Sequence, residues 1–298
     1  MSHPLVSVVI TTKNEEKNIA NCLKSICEQT YLSCHCEERS DEAISKPLIE
    51  IIVVDNNSTD RTKEIVDRMS LRGAERRSNL NIYFFTHGPE RSAQRNFGVK
   101  KAKGQYILYL DADMILSKNV AKDCVQKIQN NHDVVALYIS EIVMGESFWC
   151  KVRRFERSFY DGTVIDCVRF ISKKVFDAVE GFDENMSGPE DWDFDKKIRK
   201  IGKTDIIKTP IYHNEQNFNL IQYLSKKNYY IKSFDTYVKK WGKDDADIQK
   251  QLGIFYRYFG VFTENGKWKK LVFHPILSLG MFFLKILIGV SYILRSIK

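Results

Sequence analysis

The stretch Gln105-Tyr-Ile-Leu-Tyr-Leu-Asp-Ala-Asp113 decides the fold of this 298-residue chain. Residues 106–110 form a β-prone, mostly apolar run, which predicts a strand buried on both faces. Two carboxylates, Asp111 and Asp113, follow it directly. Mg²⁺ and Mn²⁺ prefer oxygen ligands, often one or two protein carboxylates together with substrate phosphates. The pair therefore predicts a divalent-cation site at a sheet edge, and a turn followed by a helix cap is the alternative.

Strands and helices alternate along the first part of the chain. Apolar runs predict further strands over residues 5–10, 49–54 and 80–85, and helices are expected between them, with Asn14 as N-cap of the first. The apolar face of that first helix comprises Ile19, Cys22, Leu23, Ile26 and Cys27. This alternation predicts βαβ units and a mostly parallel sheet in an α/β fold. No Gly-x-Gly-x-x-Gly follows the first strand, which argues against a dehydrogenase-type dinucleotide site.

Positive charge is concentrated in the C-terminal third of the chain. Residues 196–298 carry 20 Lys/Arg and 7 Asp/Glu, whereas residues 1–195 carry 26 and 31. A basic region can face nucleic acid or an anionic membrane. No recognisable nucleic-acid module accompanies this charge, while Lys interleaved with Tyr and Trp suits the headgroup region of a bilayer. We therefore expect a membrane surface, and no nucleic acid, as a partner of the helical region 216–298.

Residues 271–294 form an apolar segment long enough to span a bilayer. Lys285 near its centre costs about 2.5–3.5 kcal/mol on insertion scales. On a helix, His274, Ser278, Lys285 and Tyr292 form one narrow polar stripe. This pattern predicts a helix or hairpin embedded in one leaflet, or packed by its stripe against the protein, rather than a lone spanning helix. A core helix of a soluble domain is the alternative.

Residues 31–47 interrupt the α/β rhythm. This charged stretch lies where a connection usually needs about two to six residues, so it is predicted to be a surface insertion, with a partner-binding loop as the alternative. Its Cys34-His-Cys36 is only a weak zinc signal. The odd total of seven cysteines, and the absence of a signal peptide before the first strand, favour reduced thiols in a cytosolic compartment.

Four segments, taken together, resemble the family 2 glycosyltransferases of the GT-A fold, of the membrane-associated bacterial type. Their order and spacing agree with that family over about residues 5–215, apart from the insertion, so that 1–215 is expected to be the catalytic domain. The segments are Val8-Val-Ile-Thr-Thr-Lys-Asn-Glu15, Ile51-Ile-Val-Val-Asp-Asn-Asn-Ser-Thr-Asp-Arg-Thr62, Ala93-Gln-Arg-Asn-Phe-Gly-Val-Lys-Lys-Ala-Lys-Gly-Gln-Tyr-Ile-Leu-Tyr-Leu-Asp-Ala-Asp113 and Gly181-Phe-Asp-Glu-Asn-Met-Ser-Gly-Pro-Glu-Asp-Trp-Asp193.

The resemblance implies a role for each matching polar residue. Asp113, with Asp111 and His213, would hold Mn²⁺ or Mg²⁺ on the donor diphosphate, and Asp191 would be the general base. The residues implied at the nucleotide are Thr11, Glu15, Asp55, Arg95 and Asp111. Each has a structural alternative: a helix cap for Asp55 and Asp191, a solvated helix residue for Arg95 and a surface histidine for His213.

The activity implied by the resemblance is transfer of a sugar, with inversion, from a nucleotide diphosphate donor, a UDP-sugar above others. The implied acceptor is a lipid-linked or cell-surface polysaccharide precursor at the cytoplasmic face of the cell membrane. A nucleotidyltransferase and a non-catalytic scaffold of the same fold are the rival interpretations.

The segment Arg169-Phe-Ile-Ser-Lys-Lys-Val-Phe176 also fits the family, where it borders the acceptor side. A separate segment, residues 149–160, carries Arg153, Arg154 and Arg157 among aromatic residues. These arginines could contact an anionic acceptor, but a helix with a solvated basic face is the interpretation that the pattern favours.

Overall fold

A computed structural model describes residues 5–32, 48–75, 81–230 and 233–296. Eight strands form one sheet: β1 Val6–Thr12, β2 Ile49–Asp55, β3 Asn81–Thr86, β4 Tyr106–Asp111, β5 Met114–Leu116, β6 Val134–Met144, β7 Phe170–Ser172 and β8 Lys203–Asn214. Their order across the sheet is β3-β2-β1-β4-β7-β6-β8-β5.

The described residues form thirteen α-helical segments. They are α1 Ile19–Cys27, α2 Thr62–Glu75, α3 Arg91–Lys101, α4 Val120–Gln129, α5 Phe148–Arg157, α6 Lys173–Ala178, α7 Glu190–Arg199, α8 Leu220–Tyr230, α9 Phe234–Trp241, α10 Ala246–Leu252, α11 Val261–Thr263, α12 Trp268–Phe273 and α13 Pro275–Ser296. Shorter turns are the 3₁₀ segments Thr30–Leu32 and Glu264–Gly266 and the π-helical Tyr256–Gly260. The first helix begins later than expected: its N-cap is Asn18, while Asn14 lies in the preceding loop and accepts a hydrogen bond from the backbone of Thr59.

The sheet is mixed rather than mostly parallel. Strands β3, β2, β1 and β4 run parallel, as the alternation of strands and helices predicts, and β6 and β8 are also parallel. Three pairings are antiparallel: β4 with β7, β6 with β7, and β5 with β8. The short strands β5 and β7 carry no apolar run long enough to indicate a strand in advance, so only the first half of the sheet could be read from the pattern.

Helices cover both faces of the sheet, which explains why its central strands are apolar throughout. All residues of β1 and β2 are buried. Along β1, Val8 and Ile10 face one hydrophobic cluster together with α1, while Val9 faces a second cluster with α3 and α7. Burial on both faces is characteristic of strands in parallel α/β sheets.

The predicted insertion, with its zinc and partner-binding interpretations, lies largely outside the described residues, which resume at Leu48 after Leu32. Its first residue, Tyr31, is buried in the same cluster as α1 and therefore belongs to the fold.

After β8 the described chain is helical, and these helices pack back onto the catalytic region. Phe155 and Phe159, at and just beyond the end of α5, share a cluster with Phe262, Met281 and Leu284. The polar side of α13 faces inward, with Ser278 and Lys285 buried. Two members of the predicted stripe thus pack against the protein, whereas a third, His274, is exposed. Among the described residues, no helix has the length and apolar character needed to cross a bilayer.

Candidate active site

The register of the parallel strands brings three predicted residues to one sheet edge. In the central strand β1, Thr12 lies opposite Asp55 of β2 and Thr11 lies opposite Asp111 of β4. Thr11 Oγ1 donates a hydrogen bond of 3.0 Å to Asp111 Oδ1. The carboxyl ends of strands in open α/β sheets are where ligands bind, so this edge is the candidate nucleotide side.

Asp55 and Glu15 border that edge, each with a local partner. The carboxylate of Asp55 is buried and accepts hydrogen bonds from the backbone nitrogen and hydroxyl of Ser58, at 2.8 Å for the nitrogen. Glu15 accepts a hydrogen bond from Asn18. Burial raises the pKa of Glu15, and the charges of Asp113 and Asp111 raise it further, which places Glu15 in the field of the acidic pair. Contact with a base or ribose stays a prediction for both residues.

Arg95 joins the two sides of the site. Its side chain is completely buried, so the alternative of a solvated helix residue is wrong. Nη2 lies 3.2 Å from Asp111 Oδ1, and Nη1 lies 2.7 Å from Asp191 Oδ1. The guanidinium also lies over the rings of Tyr109 and Phe182, at 4.9 and 5.0 Å from their centroids. Arg95 thus links the metal-side carboxylate to the predicted general base.

Arg91 lies one helical turn before Arg95 and extends the same network. Its Nη2 is 2.9 Å from Glu190 Oε1, and its Nη1 is 3.9 Å from Asp111 Oδ2. Burial alone would raise the pKa of Asp111, but Arg95 and Arg91 hold it well below its ordinary value. Burial raises the pKa of the adjacent Glu190, and the charge of Asp191 adds to that effect.

Asp191 lies in the first turn of α7, whose N-cap position is occupied by Pro189. The helix-cap alternative for Asp191 is therefore not what the structure has. About a fifth of its side chain (22%) is exposed, whereas the neighbouring Glu190 and Asp193 are almost completely buried. Of the acidic side chains in this turn, Asp191 is the one that an acceptor could reach. One of its carboxylate oxygens, Oδ1, is held by Arg95, and the other oxygen is left for the acceptor.

His213 lies beside Asp113 because β5 and β8 pair antiparallel, with Met114 opposite His213. Its Nε2 is 3.0 Å from Asp113 Oδ2, and its Nδ1 is 2.9 Å from Glu141 Oε1. Burial would lower the pKa of His213, but hydrogen bonds to Asp113 and Glu141 raise it to about 10. The surface-histidine alternative is thus wrong.

Glu141 anchors this histidine from the protein interior. Its Oε2 lies 3.3 Å from Arg157 and 3.4 Å from Arg169. Burial would raise the pKa of Glu141, but Arg157 and His213 hold it well below its ordinary value. The chain of contacts from the arginines through Glu141 and His213 fixes the carboxylate of Asp113 at the sheet edge.

The residues present fit a divalent cation that shares its ligands with a substrate. Asp113 Oδ1 is buried and has no hydrogen-bond partner, which leaves one carboxylate oxygen in need of a cation or donor. Among the described residues, no group of three or more His, Cys, Asp or Glu side chains could hold a metal ion by itself. Asp113 is therefore the side chain that fits a cation, with oxygen ligands from a diphosphate completing the set. A role as metal ligand stays a prediction for Asp111, which pairs with Arg95, and for His213, whose raised pKa keeps a proton that metal binding would have to displace.

The helix predicted to have a solvated basic face does not have one. Arg153 pairs with Glu156 at 2.5 Å and with Glu215 at 3.2 Å, while Arg157 pairs with Glu141 and Asp166. Both arginine side chains are only 13% exposed. The interpretation fails for Arg153 and Arg157 because Glu215 and Glu141 lie outside the helix, where the local pattern does not show them. Arg154, with 37% of its side chain exposed, is the arginine of this helix that stays partly solvated.

Four site residues were not singled out from the sequence: Arg91, Tyr109, Glu141 and Glu190. Two of them left a signal. Arg91 precedes Arg95 by four residues and so shares its helix face. Glu141 is a lone carboxylate inside an otherwise apolar strand, and buried carboxylates are rare unless they are paired. Arg169, which directly precedes β7, is likewise a charged residue in an apolar stretch. From the sequence it is identified only as part of an acceptor-side segment.

The chain is similar in sequence to known glycosyltransferases. Residues 7–181 match the family model described as glycosyl transferase family 2. The chain is 30% identical over 134 residues to the poly(ribitol-phosphate) beta-N-acetylglucosaminyltransferase TarS of Staphylococcus aureus, which covers 44% of this chain and 20% of TarS. An uncharacterized glycosyltransferase of Methanocaldococcus jannaschii is 26% identical over 313 residues, covering 98% of this chain and 95% of that protein. The match with this chain spans only 20–38% of the length of three curated relatives, TarS among them.

Solved structures share the fold. TarS 1–349 in complex with UDP-GlcNAc superposes with a TM-score of 0.55 at 18% identity, covering 90% of this chain and 78% of that one. A mannosyltransferase from Pyrobaculum calidifontis in complex with GDP-Man and Mn²⁺ gives a TM-score of 0.60 at 17% identity, covering 96% and 81%. At such identities these likenesses show a GT-A-like α/β fold with a mixed sheet. The family match, which extends over more than half of the chain, shows that the protein belongs to glycosyl transferase family 2.

Proposed function

We propose that this protein is an inverting glycosyltransferase that moves a sugar from a UDP-sugar to an acceptor hydroxyl. The observation that carries the proposal is the bridge formed by Arg95, which holds Asp111 on the donor side and Asp191 on the acceptor side within one buried network. A scaffold would have no need for a buried arginine between two carboxylates that remain partly open to solvent.

The donor side is built to bind a diphosphate. Departure of a nucleoside diphosphate builds negative charge on its phosphate oxygens, and a cation held at Asp113 would stabilise that charge as a Lewis acid. Arg91, with 30% of its side chain exposed, lies at the same edge and offers a further positive charge. Burial would lower the pKa of Arg91, but Asp111 and Glu190 raise it well above its ordinary value, so the guanidinium stays charged.

The acceptor side needs one base. Arg95 holds Oδ1 of Asp191, and no hydrogen bond to its Oδ2 is found among the described residues, so Oδ2 is available for the proton of an acceptor hydroxyl. Fixing one oxygen aims the other, and orientation is a large part of general-base efficiency. A single base with no enzyme nucleophile gives inversion at the anomeric carbon.

The choice of donor and acceptor is supported by the relatives. TarS is named as a poly(ribitol-phosphate) beta-N-acetylglucosaminyltransferase and has been solved with UDP and UDP-GlcNAc, and another relative, GgaB of Bacillus subtilis, is named as a minor teichoic acid biosynthesis protein. These names favour a UDP-sugar as donor and a cell-surface polysaccharide precursor, lipid-linked or polymeric, as acceptor.

The outward face of the C-terminal helices supports membrane association at the cytoplasmic face. Along α13 the exposed side chains are apolar and recur at alternating spacings of three and four residues: Ile276, Leu279, Phe283, Ile286 and Val290. We call them the α13 stripe. Phe273 and Trp268 of α12 are exposed beside exposed Lys269 and Lys270. Apolar and aromatic side chains flanked by lysines suit the interface of an anionic bilayer.

A thermal-shift panel tests the donor half of the proposal. UDP, GDP, dTDP and CDP are compared, each with and without Mn²⁺, on the native protein and on Asp113→Ala. A ligand at 100 times its dissociation constant stabilises by about 2.7 kcal/mol, a shift of a few degrees at this size. We expect UDP to stabilise the native protein only with Mn²⁺, and Asp113→Ala to abolish the shift. No shift with any nucleotide would overturn the proposal, and release of pyrophosphate from a nucleoside triphosphate would favour a nucleotidyltransferase.

A further inference from the structure

We propose that the protein has an anion site for a phosphate ester group of the acceptor, formed by Arg153, Lys227, Arg257 and Lys285. We call these four residues the cationic cluster. The inference rests on the proposed function, because it assigns the acceptor of the same reaction to a chemical class: one that carries a phosphate monoester or diester next to the sugar-accepting part.

The cationic cluster contains more positive charge than its carboxylates neutralise. Glu156 pairs with Arg153 at 2.5 Å and with Lys285 at 3.2 Å. Glu215 also pairs with Arg153, at 3.2 Å. Both carboxylates are therefore already taken by two of the four cations.

The other two cations have no acidic partner within the described part of the chain. Lys227 lies over the ring of Tyr223 at 5.5 Å, and Arg257 lies over the ring of Trp192 at 5.9 Å. Neither forms an ion pair with a described residue. Both side chains are half-buried, so an anion from outside the chain can reach them. Positive charge that is held beside aromatic rings without a carboxylate indicates that such an anion completes the cluster.

Helix α8 places Lys227 toward the candidate active site. Tyr223 and Tyr230 contact arginines on the two flanks of that site: Tyr223 packs against Arg153 at 4.9 Å, and Tyr230 packs against Arg91 at 5.3 Å. Residues 223, 227 and 230 fall on one face of a helix. Lys227 therefore lies between the two contacts, on the face of α8 that looks toward the catalytic region.

The cluster lies next to both catalytic elements along the chain. Glu215, the partner of Arg153, follows His213 by two residues, and its backbone nitrogen bonds to the carbonyl of His213. Trp192, under Arg257, directly follows Asp191. The contact partners of the cluster are thus attached to the two segments that carry the predicted metal edge and the predicted base, which favours an acceptor group over the donor nucleotide as its ligand.

The electrostatics of the lysines agree with this geometry. Burial lowers the pKa of Lys227 to about 7, and the positive charges of Arg153, Arg257 and Lys226 lower it further. The negative charge of Glu156 acts in the opposite direction. Burial likewise lowers the pKa of Lys285 to about 8, against the opposing effect of Glu156. The neighbouring arginines repel the charged form of each lysine, and a bound dianion would favour that charged form and so raise both pKa values.

A phosphate ester is the ligand chemistry that suits this arrangement. Two guanidinium groups offer paired donors that match phosphate oxygens, and ammonium groups add compact charge. The phosphate could belong to a lipid headgroup or to a water-soluble polyol phosphate, and the two sources share the same recognition chemistry. The cluster acts by binding and orientation, and no bond to phosphorus is made or broken.

The test measures binding of phosphate esters after the donor site has been filled with UDP and Mn²⁺. One arm titrates glycerol 1-phosphate by calorimetry. The other measures cosedimentation with phosphatidylcholine vesicles that contain, or lack, phosphatidic acid. The variants are Lys227→Gln and Arg257→Gln, and the matched control is Lys100→Gln, which removes one exposed lysine from α3.

We expect at least a tenfold loss of affinity in one arm for both cluster variants, and no change for Lys100→Gln. Loss with glycerol 1-phosphate assigns the phosphate to a soluble ester, and loss only with phosphatidic acid vesicles assigns it to a lipid headgroup. Equal affinities for the native protein and both variants, in both arms, would overturn the inference.

A stability measurement separates this role from a structural one. Without a phosphate ester, Lys227→Gln removes a half-buried cation that has no ion-pair partner among the described residues, so its midpoint of thermal unfolding should be equal to or above that of the native protein. A large drop would mean that Lys227 supports the fold, and would contradict the inference. The shift with UDP and Mn²⁺ should be retained in both cluster variants. If the native protein shows no such shift, the proposed function fails; if the shift is present but phosphate binding is unaffected, only the acceptor site fails.

Discussion

Arg95 Nη1 lies 2.7 Å from Asp191 Oδ1, and this contact fixes the predicted general base from inside the protein. The same guanidinium reaches Asp111 of β4, so the donor and acceptor sides are held in one geometry. Because Arg95 is completely buried, its position depends on the packing of α3 against the sheet and not on solvent. Catalysis and stability should therefore be linked at this residue.

Asp191→Asn should abolish transfer while leaving donor binding intact. The amide keeps the shape of the side chain but cannot take a proton from an acceptor hydroxyl. Loss of a general base typically reduces kcat by about 10²–10⁴-fold. Steady-state transfer kinetics, together with the thermal shift with UDP and Mn²⁺, measure the two effects. A variant that keeps more than a tenth of the native kcat would exclude Asp191 as the base.

Arg95→Met should destabilise the protein strongly. Removing one member of a buried ion pair leaves the other carboxylates uncompensated, which costs about 3–5 kcal/mol in the free energy of unfolding. Arg61→Met is the matched control, because Arg61 pairs with Glu64 in solvent and such pairs contribute about 0–1 kcal/mol. Urea unfolding compares the two variants. Equal stability losses would show that the Arg95 network does not hold the site together.

Glu141→Gln should weaken metal binding without touching a metal ligand. Glu141 orients His213 through its Nδ1, and loss of such a partner typically lowers metal affinity by about 10–100-fold. The measurement is a Mn²⁺ titration, at fixed UDP, of the nucleotide-dependent thermal shift. Glu146→Gln, which changes an exposed carboxylate nearby in sequence, is the control. If both variants bind Mn²⁺ like the native protein, then Glu141 only supports packing.

Lys285→Met should remove a pH dependence of stability. Burial lowers the folded pKa of Lys285 to about 8, against an ordinary value of 10.5. The folded state therefore binds fewer protons than the unfolded state between these values, so that the contribution of Lys285 to stability rises as pH increases from about 8 to 10.5. The full difference is about 3 kcal/mol.

The neighbouring charges at Lys285 are Glu156, Arg153 and Arg257, and the variant keeps all three. Urea unfolding of the native protein and of Lys285→Met at pH 7.5 and 9.5 gives the comparison. The native protein should gain stability relative to the variant at the higher pH. A relative loss would mean that the pairing of Lys285 with Glu156 outweighs its burial.

Leu279→Glu combined with Phe283→Glu should reduce vesicle binding. Both side chains belong to the α13 stripe, with exposed fractions of 72% and 49%. Phe283 also stacks on Trp149 at 6.0 Å, so the midpoint of thermal unfolding is measured alongside binding. Charged residues on this face lose apolar contact and are repelled by anionic lipid. Cosedimentation with vesicles rich in phosphatidylglycerol is the measurement. Leu71→Glu, at an exposed apolar residue of α2, is the control; equal binding by all three proteins would exclude the stripe as a membrane contact.

The first half of the fold could be predicted because its strands can be recognised from short stretches of sequence. In β1, β2 and β4 burial on both faces requires continuous apolar runs, and these runs are visible without any partner. Strands β5 to β8 were not predicted. For β5 and β7 the reason is that three residues carry no period and that their pairing depends on distant β8 and β6. The mixed half of the sheet therefore followed only from tertiary contacts.

The sequence by itself determined the carboxylates of the site and their order, because Asp111, Asp113 and Asp191 stand in motifs of fixed spacing. Only the tertiary structure decided how they are held. Arg95 bridges residues 16 and 96 positions away, His213 reaches Asp113 across 100 positions, and Lys285 reaches Tyr160 across 125. The physical reason is that a buried charge is stable only beside its counter-charge, and the folded chain, rather than its local pattern, chooses that neighbour.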